Sequence, residues 1–404
     1  MLLNNLEHVP SWQRNLFILW IGVFMMGIGF SEVMPFLPLY VDTLGHFTQD
    51  QLTFYSSLTF STTFFTMAIF SPFWGKLADS KGRKLMLMRA SLGMAIIFIL
   101  MGLVTNVWQL IFLRALQGIF GGFISNANAM VATQVPKERS GYALGILVTG
   151  ATAGQLLGPF LGGTIASFVS YRTCFYITGI IFGAVFLLTT LFIHERFTPV
   201  KKEDSPSFKT VINLLPNARL TFGLCLTMLI IQTANMSIGP IISLVVRMLD
   251  HGSLSTTFLA GVVAAMPGIA TLIAAPRFGI IGDRIGTDRM IMIGFGIALL
   301  SLVPSAFVIA VWQLAILRLI MGVSNATMLP AVQTLLAKTT PSQITSRVFA
   351  YGQSFQSIGS VVGPMLGSLV ASQFGYSGIF IASALLVALN ALFFWSNTKS
   401  LRTS

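Results

Sequence analysis

Gly75-Lys76-Leu77-Ala78-Asp79-Ser80-Lys81-Gly82-Arg83-Lys84 joins two apolar runs, 53–74 and 86–105. Four cations and a carboxylate within ten residues do not sit in hydrocarbon, so the chain leaves the apolar phase here and returns. The glycines permit a tight turn between helices. Asp79 is suited to capping a helix start or to accepting bonds from neighbouring cations. A basic loop that only sets topology explains Lys81, Arg83 and Lys84, but not two glycines bracketing an aspartate. The segment reads as a salt-bridged latch, with Gly75, Asp79, Gly82, Arg83 and Lys84 as its parts.

The composition around this loop is that of a membrane protein. Of 404 residues, 54% are hydrophobic and 9% charged, with mean hydropathy +0.82. A soluble domain carries about 25% charged residues. A span needs about 20 mostly apolar residues. Such stretches fall at 16–40, 53–74, 86–105, 108–133, 141–167 and 172–193, and again at 219–247, 256–275, 290–309, 312–337, 347–372 and 376–396. The polar stretch His194 to Arg219 divides them six and six. The expected organisation is an all-α membrane protein with a six-helix bundle over 1–194, a cytoplasmic linker over 195–218 and a second bundle over 219–404.

Twelve crossings place both termini on one side. Of the 24 Lys and Arg, 20 fall on that side, Arg172 and Arg247 lie opposite, and Arg114 and Arg318 lie within spans. The bias predicts cytoplasmic termini, and the net charge of +12 reads as topogenic rather than nucleic-acid-binding. The first run is too long for a signal-peptide core and lacks a small-residue cleavage site, so it reads as a retained helix. Cys174 and Cys225 fall near opposite membrane faces, where no disulfide joins them.

The halves repeat. Val107-Trp108-Gln109-Leu110 with Leu113-Arg114 recurs as Val311-Trp312-Gln313-Leu314 with Leu317-Arg318. Gly75 to Asp79 recurs as Gly279 to Asp283, and Gly158-Pro159 with Gly162 as Gly363-Pro364 with Gly367. All three lie 204 or 205 residues apart. Parallel six-helix repeats predict two pseudo-symmetric bundles about an axis normal to the membrane, with a substrate site between them.

The loop at Gly75 to Lys84 resembles the signature loop of the major facilitator superfamily, G-x-L-A-D-x-x-G-R-K. Its second copy keeps Gly279, Asp283, Arg284 and Gly286 but has Thr287 and Asp288 in place of Arg83 and Lys84, which weakens the latch there. In the fifth span, Gly154, Gly158, Pro159, Gly162 and Gly163 give one helix a small-residue face and a mid-span proline. Tight packing alone accounts for such a face. It also resembles the G-x-x-x-G-P-x-x-G-G stretch of antiporters in this superfamily, and Gly29, Pro35 and Pro38 resemble a first-helix pattern of its twelve-helix drug exporters. From about Trp12 to Trp395 the chain is similar to bacterial drug:proton antiporters of the family. The resemblance implies proton-driven efflux across the bacterial inner membrane, with fosfomycin and bile salts such as deoxycholate as substrates.

Three ionisable side chains fall deep in spans: Glu32, Arg114 and Arg318. Each is costly in hydrocarbon and must face a cavity or a partner. At helical rise, Glu32 lies roughly 12 Å and Arg114 roughly 9 Å from the outer face. In the superfamily's fold the first and fourth helices are neighbours, so the resemblance makes a Glu32–Arg114 contact possible. A carboxyl that gains or loses a guanidinium neighbour changes its proton affinity, the property a coupling site needs. A static ion pair that orients two helices is the plainer reading, and direct contact of Glu32 with a cationic substrate is a third. Arg114 also belongs to a match with the family's fourth-helix motif, made by Leu110, Arg114, Gln117 and Gly118.

At helical spacing Arg114, Gln117, Gly121, Ser125 and Asn128 share a face, a polar stripe suited to a cavity. The second half offers Gln232, Asn235, Arg318 and Asn325, although buried amides also hold helices together. Met25 and Phe36 share the face of Glu32 and complete the expected substrate cavity. Arg318 has no membrane acid in its own half, since Ser237 stands at the position matching Glu32; an unpaired arginine suits an anionic substrate.

The sequence has no G-x-x-x-x-G-K-[ST] phosphate loop, no His/Cys cluster with metal-ligand spacing and no hydrolytic constellation. The expectation is a non-enzymatic, cofactor-free monomer that handles small-molecule drugs and protons in a lipid bilayer. The competing readings are an importer or facilitator of a small organic metabolite on the same fold, and a transporter-like receptor that senses without moving its ligand.

Overall fold

The computed structural model describes residues 11–195, 212–250, 255–341 and 344–398. Among these every regular element is helical. In the first half the helices are α1 (Ser11–Ser31), α2 (Leu37–Asp42), α3 (Gln49–Lys81), α4 (Arg83–Met101), α5 (Val107–Phe120), α6 (Phe123–Gln134), α7 (Lys137–Phe168) and α8 (Tyr171–Phe192). The second half holds α9 (Ala218–Ile238), α10 (Ile242–Leu249), α11 (Thr256–Ile285), α12 (Thr287–Ser305), α13 (Val311–Thr339) and α14 (Thr345–Asn397).

Ten stretches of the described residues are long and apolar enough to cross a membrane. One of them, Arg347–Asn397, is 51 residues long and leaves helical geometry at Gly375, where φ is +69°, so it supplies two crossings. The remaining crossing is α3, whose 33 residues are rich in hydroxyls. Thr53, Thr59, Thr62 and Thr63 of α3 each donate to the carbonyl four residues earlier, which satisfies them within the helix.

Three spans that read as continuous are broken. The first stops at Ser31, turns through residues 32–36 and resumes as α2. Pro35 has no amide hydrogen and drives the residue before it out of helical geometry. The repeat breaks at its matching proline, Pro240, within the 3-10 turn Gly239–Ile241 between α9 and α10. The fourth span is interrupted between α5 and α6, with Gly122 at φ +104°. Carbonyls freed in the membrane need other donors. Here the Arg89 guanidinium donates to Gly121 O at 2.8 Å and Trp74 Nε1 to Ile119 O at 2.7 Å, with the guanidinium 3.8 Å above the Trp74 ring. The equivalents of these two side chains, 204 residues on, are Ile293 and Phe278, and α13 runs unbroken there.

The chain forms two compact units. One holds the residues up to Phe36 together with those from Phe65 through α8; the other holds Leu37–Phe64 with the second half. Within the second unit, Asp42 on α2 pairs with Arg247 on α10 at 2.6 Å, two positions 205 residues apart and therefore equivalent in the repeat. Thr53 and Tyr376 share a hydrogen bond at 3.2 Å, and Ser61 donates to Val361 O at 2.8 Å.

The loop between α3 and α4 turns at Gly82, where φ is +95°, and its copy turns at Gly286, φ +99°. A side chain is strained at either position, as the motif requires. The side chains of Asp79 and Asp283 lie outside the described residues. Glu195 supplies a carboxylate to the first turn of α4, accepting the amides of Arg83 at 2.8 Å and Lys84 at 2.7 Å. Lys84 Nζ in turn donates to Thr190 O at 2.8 Å. Gly75 has open space where a Cβ would lie, and Arg284 is exposed.

Candidate functional site

Three helices that are far apart in sequence, α1, α7 and α8, meet at one carboxylate. Glu32 is the first residue beyond α1, and only 3% of it is exposed. Its amide still completes the helix, donating to Ile28 O at 2.8 Å. Its Oε1 takes a hydrogen bond from Thr178 Oγ1 of α8. Gly29, one turn earlier, makes room for that helix: a Cβ there would fall 2.6 Å from the Thr178 methyl carbon and 2.3 Å from the Phe182 ring.

The glycines of α7 close on the same residue from another direction. A Cβ on Gly154 would stand 2.2 Å from Phe24 O, one on Gly158 2.0 Å from Ser31 Oγ, and one on Gly162 2.2 Å from Glu32 O. Residues spaced by four share a helix face, so this face lays the α7 backbone against the α1 backbone up to Glu32. Pro159 and Gly163 are buried in the same segment. The small-residue stretch is therefore the floor on which Glu32 rests.

The second half repeats this frame without the carboxylate. Gly359, Gly363 and Gly367 of α14 face Leu229 O, Thr233 O and Ser237 O of α9, at 2.6, 2.8 and 2.4 Å from a built Cβ. Ser237 and Ser383, at the positions of Glu32 and Thr178, share a hydrogen bond at 2.9 Å. One half carries an ionisable group where the other carries a hydroxyl.

Arg114 is also buried, at 4% exposure, and donates to Gln117 Oε1 at 2.6 Å. In this conformation it makes no ion pair with Glu32, whose side-chain hydrogen bond goes to Thr178. The expected polar stripe does not form a single face. The α5–α6 break re-aims everything after Gly121, leaving Ser125 exposed and bonded to Gly122 O, and Asn128 half-buried. Phe36 is likewise set apart from Met25 by the break after Ser31. It is fully buried, 5.8 Å from Tyr171 and 5.6 Å from Phe175 between ring centroids, and is a packing residue. Met25 is half-buried.

In the second unit the amides hold helices together. Asn235 donates to Asn325 at 3.1 Å, and Gln232 donates to Ser360 at 2.9 Å while accepting from Gln356 at 3.4 Å. Arg318 differs from them: its Nε is buried without a hydrogen-bond partner, and no ion pair joins it among the described residues. Thr178, Arg89 and Glu195 were not legible as site residues. A threonine in an apolar run carries no sign of which helix it faces, and Glu195 reads as the first charge of a linker. The break that Arg89 caps had one signal, the Gly121-Gly122 pair.

The molecule is a multi-pass helical membrane protein with a repeated half and, among the described residues, a buried carboxylate in one copy where the other has a serine. That architecture is the one on which membrane transporters with internal repeats are built. The chain belongs to the Major Facilitator Superfamily, whose model matches residues 19–240 and 224–403. It is 47% identical over 392 residues to the multidrug resistance protein MdtG of Salmonella dublin, covering 97% of each chain, with the same figures for that of Salmonella typhimurium. Among solved structures it superposes on a bacterial homologue of the human lysosomal transporter Spinster with TM-score 0.81 at 15% identity, over 96% of this chain and 97% of that one. It also superposes on the nucleoside transporter NupG, with TM-score 0.75 at 13% identity, over 96% and 100%.

Proposed function

We propose that this protein is a proton-coupled multidrug exporter of the bacterial inner membrane, with cytoplasmic termini, working by alternating access. The likeness to MdtG over nearly the whole chain carries the reading. The geometry supports it: Glu32 is the one carboxylate of the described residues that is buried deep in a span, and the glycine stretch of the fifth span and Thr178 of the sixth both touch it. In this reading one such acid carries one proton per cycle. A charge crossing 100 mV contributes about 2.3 kcal/mol, enough for a gradient near fiftyfold.

Arg318 supports an anionic substrate class in this reading. A guanidinium in a span whose buried Nε has no hydrogen-bond partner among the described residues offers a charge-assisted bond to an anion. Fosfomycin and deoxycholate differ in size and polarity but share that charge. Replacing Arg318 with Gln is expected to weaken export of both by ten- to a hundredfold, the equivalent of about 1.5–3 kcal/mol for a hydrogen bond to a charged group. Export of an uncharged substrate, measured in the same vesicles, serves as the control. Equal losses for charged and uncharged compounds would remove the anion role.

The function itself is tested in inside-out vesicles with an established acid interior. Fosfomycin, deoxycholate and lipophilic cations are added in turn while interior pH is followed. The expected result is alkalinisation that vesicles lacking the protein do not show. Proton-independent uptake of a metabolite into right-side-out vesicles, with no such response, would replace this reading with that of an importer or facilitator.

A further inference from the structure

The Thr178 hydroxyl has two acceptors within reach and one proton to give. Its Oγ1 lies in hydrogen-bond contact with Glu32 Oε1 and 2.9 Å from Cys174 O, one turn back on α8. Only one of these contacts can use the hydroxyl hydrogen at a time. We propose that Thr178 is a positioning residue that reads the protonation of Glu32 and passes it to α8. This rests on the reading of Glu32 as the proton-carrying group.

The two states follow from donor and acceptor rules. When Glu32 is protonated, its O–H donates to Thr178 Oγ1, and the hydroxyl turns to donate to Cys174 O. When the proton leaves, the carboxylate can only accept, so the hydroxyl swings to donate to Oε1 and Cys174 O keeps only its helical amide partner. A hydroxyl bond to a carbonyl one turn back bends a helix. Each proton taken up or released therefore changes the geometry of α8 beside Glu32.

The surroundings leave Thr178 as the partner able to respond. On α8 the titratable neighbour is Cys174, whose thiol points to Gly162 O at 3.7 Å, while Arg172 is turned to Val104 O at 3.0 Å. Where α7 meets Glu32 it presents Gly158 and Gly162, and α6 carries no charged residue. On α1, the Ser31 hydroxyl is engaged by the carbonyls of Gly27 and Ile28 at 2.8 and 3.2 Å. The equivalent Ser237–Ser383 pair has two hydroxyls and no acid, so the switch belongs to the first half.

The test compares Thr178→Val, which keeps the shape and removes the hydroxyl, with Thr178→Ser, which restores it. In proteoliposomes Thr178→Val is expected to retain substrate counterflow within twofold but to lose at least tenfold in gradient-driven accumulation; Thr178→Ser is expected to keep both. An infrared difference spectrum between acid and alkaline pH gives the independent readout, with the Glu32 carboxyl C=O band assigned by its absence in Glu32→Gln. That band is expected to shift in Thr178→Val and to return in Thr178→Ser. Parallel loss of counterflow and accumulation, unrescued by serine, would make Thr178 merely structural and overturn the proposal. A wild-type band that changes with pH but is indifferent to Thr178→Val would overturn it too, leaving Glu32 in place. The absence of any Glu32 band change with pH would instead remove the coupling reading on which it rests.

Discussion

Gly162→Ala is expected to cost at least tenfold in transport and to lower the thermal unfolding midpoint of the purified protein. The added carbon would lie 2.2 Å from Glu32 O and 2.8 Å from both Glu32 C and Cβ. Two of these three atoms are backbone, so no side chain can rotate out of the way. Helix α7 must retreat from α1, and Glu32 loses its floor. Over-packing of this kind costs about 1–3 kcal/mol, occasionally more, and the displacement falls on the residue that carries the proposed proton. Gly145→Ala, on the same helix, is the control. A Cβ at Gly145 meets nothing within 4 Å, and alanine is the better helix former by about 0.5–1 kcal/mol. Unchanged transport and an unchanged midpoint in Gly162→Ala would show that the two helices do not meet as closely as described.

Glu32→Gln is expected to abolish uphill export while leaving counterflow of substrate intact. Glutamine keeps the size of the side chain and an oxygen that accepts the Thr178 hydroxyl, so the packing of α1 against α7 and α8 is retained. What it removes is the capacity to take up and release a proton. At 100 mV the driving force lost is about 2.3 kcal/mol per proton, so a gradient of up to about fiftyfold is expected to collapse toward unity. The vesicle alkalinisation described above should vanish with it. A Glu32→Gln protein that still exports uphill with full proton exchange would assign the coupling elsewhere, with Arg114 and Gln117 the next groups to examine.

The two substitutions separate roles that the sequence presented as separate motifs. Gly162 acts through distance and Glu32 through charge, yet both are read at the same place. A loss of counterflow is expected for the first and not for the second. This contrast distinguishes a misplaced carboxylate from a silent one.

The sequence by itself determined the class. Hydropathy sets the crossings, because apolar runs of about 20 residues have no other stable place. The repeated segments set the six-plus-six plan, and the glycines of the Gly75–Lys84 loop set a turn that Gly82 makes with its positive φ. Glu32, Arg114 and Arg318 stood out because an ionisable group in a span is too costly to be incidental. Helical spacing failed wherever the helix itself failed: at Pro35, which separates Phe36 from Met25, and at Gly121-Gly122, which separates Ser125 and Asn128 from Gln117. Only the tertiary structure decided who meets whom. Which of two nearby hydroxyls or guanidinium groups reaches a carboxylate depends on how helices distant in sequence rotate and approach. Here the glycine faces settle that approach to within the width of one methyl group. They bring Thr178 rather than Arg114 to Glu32 and give the first half an acid where the second has a serine.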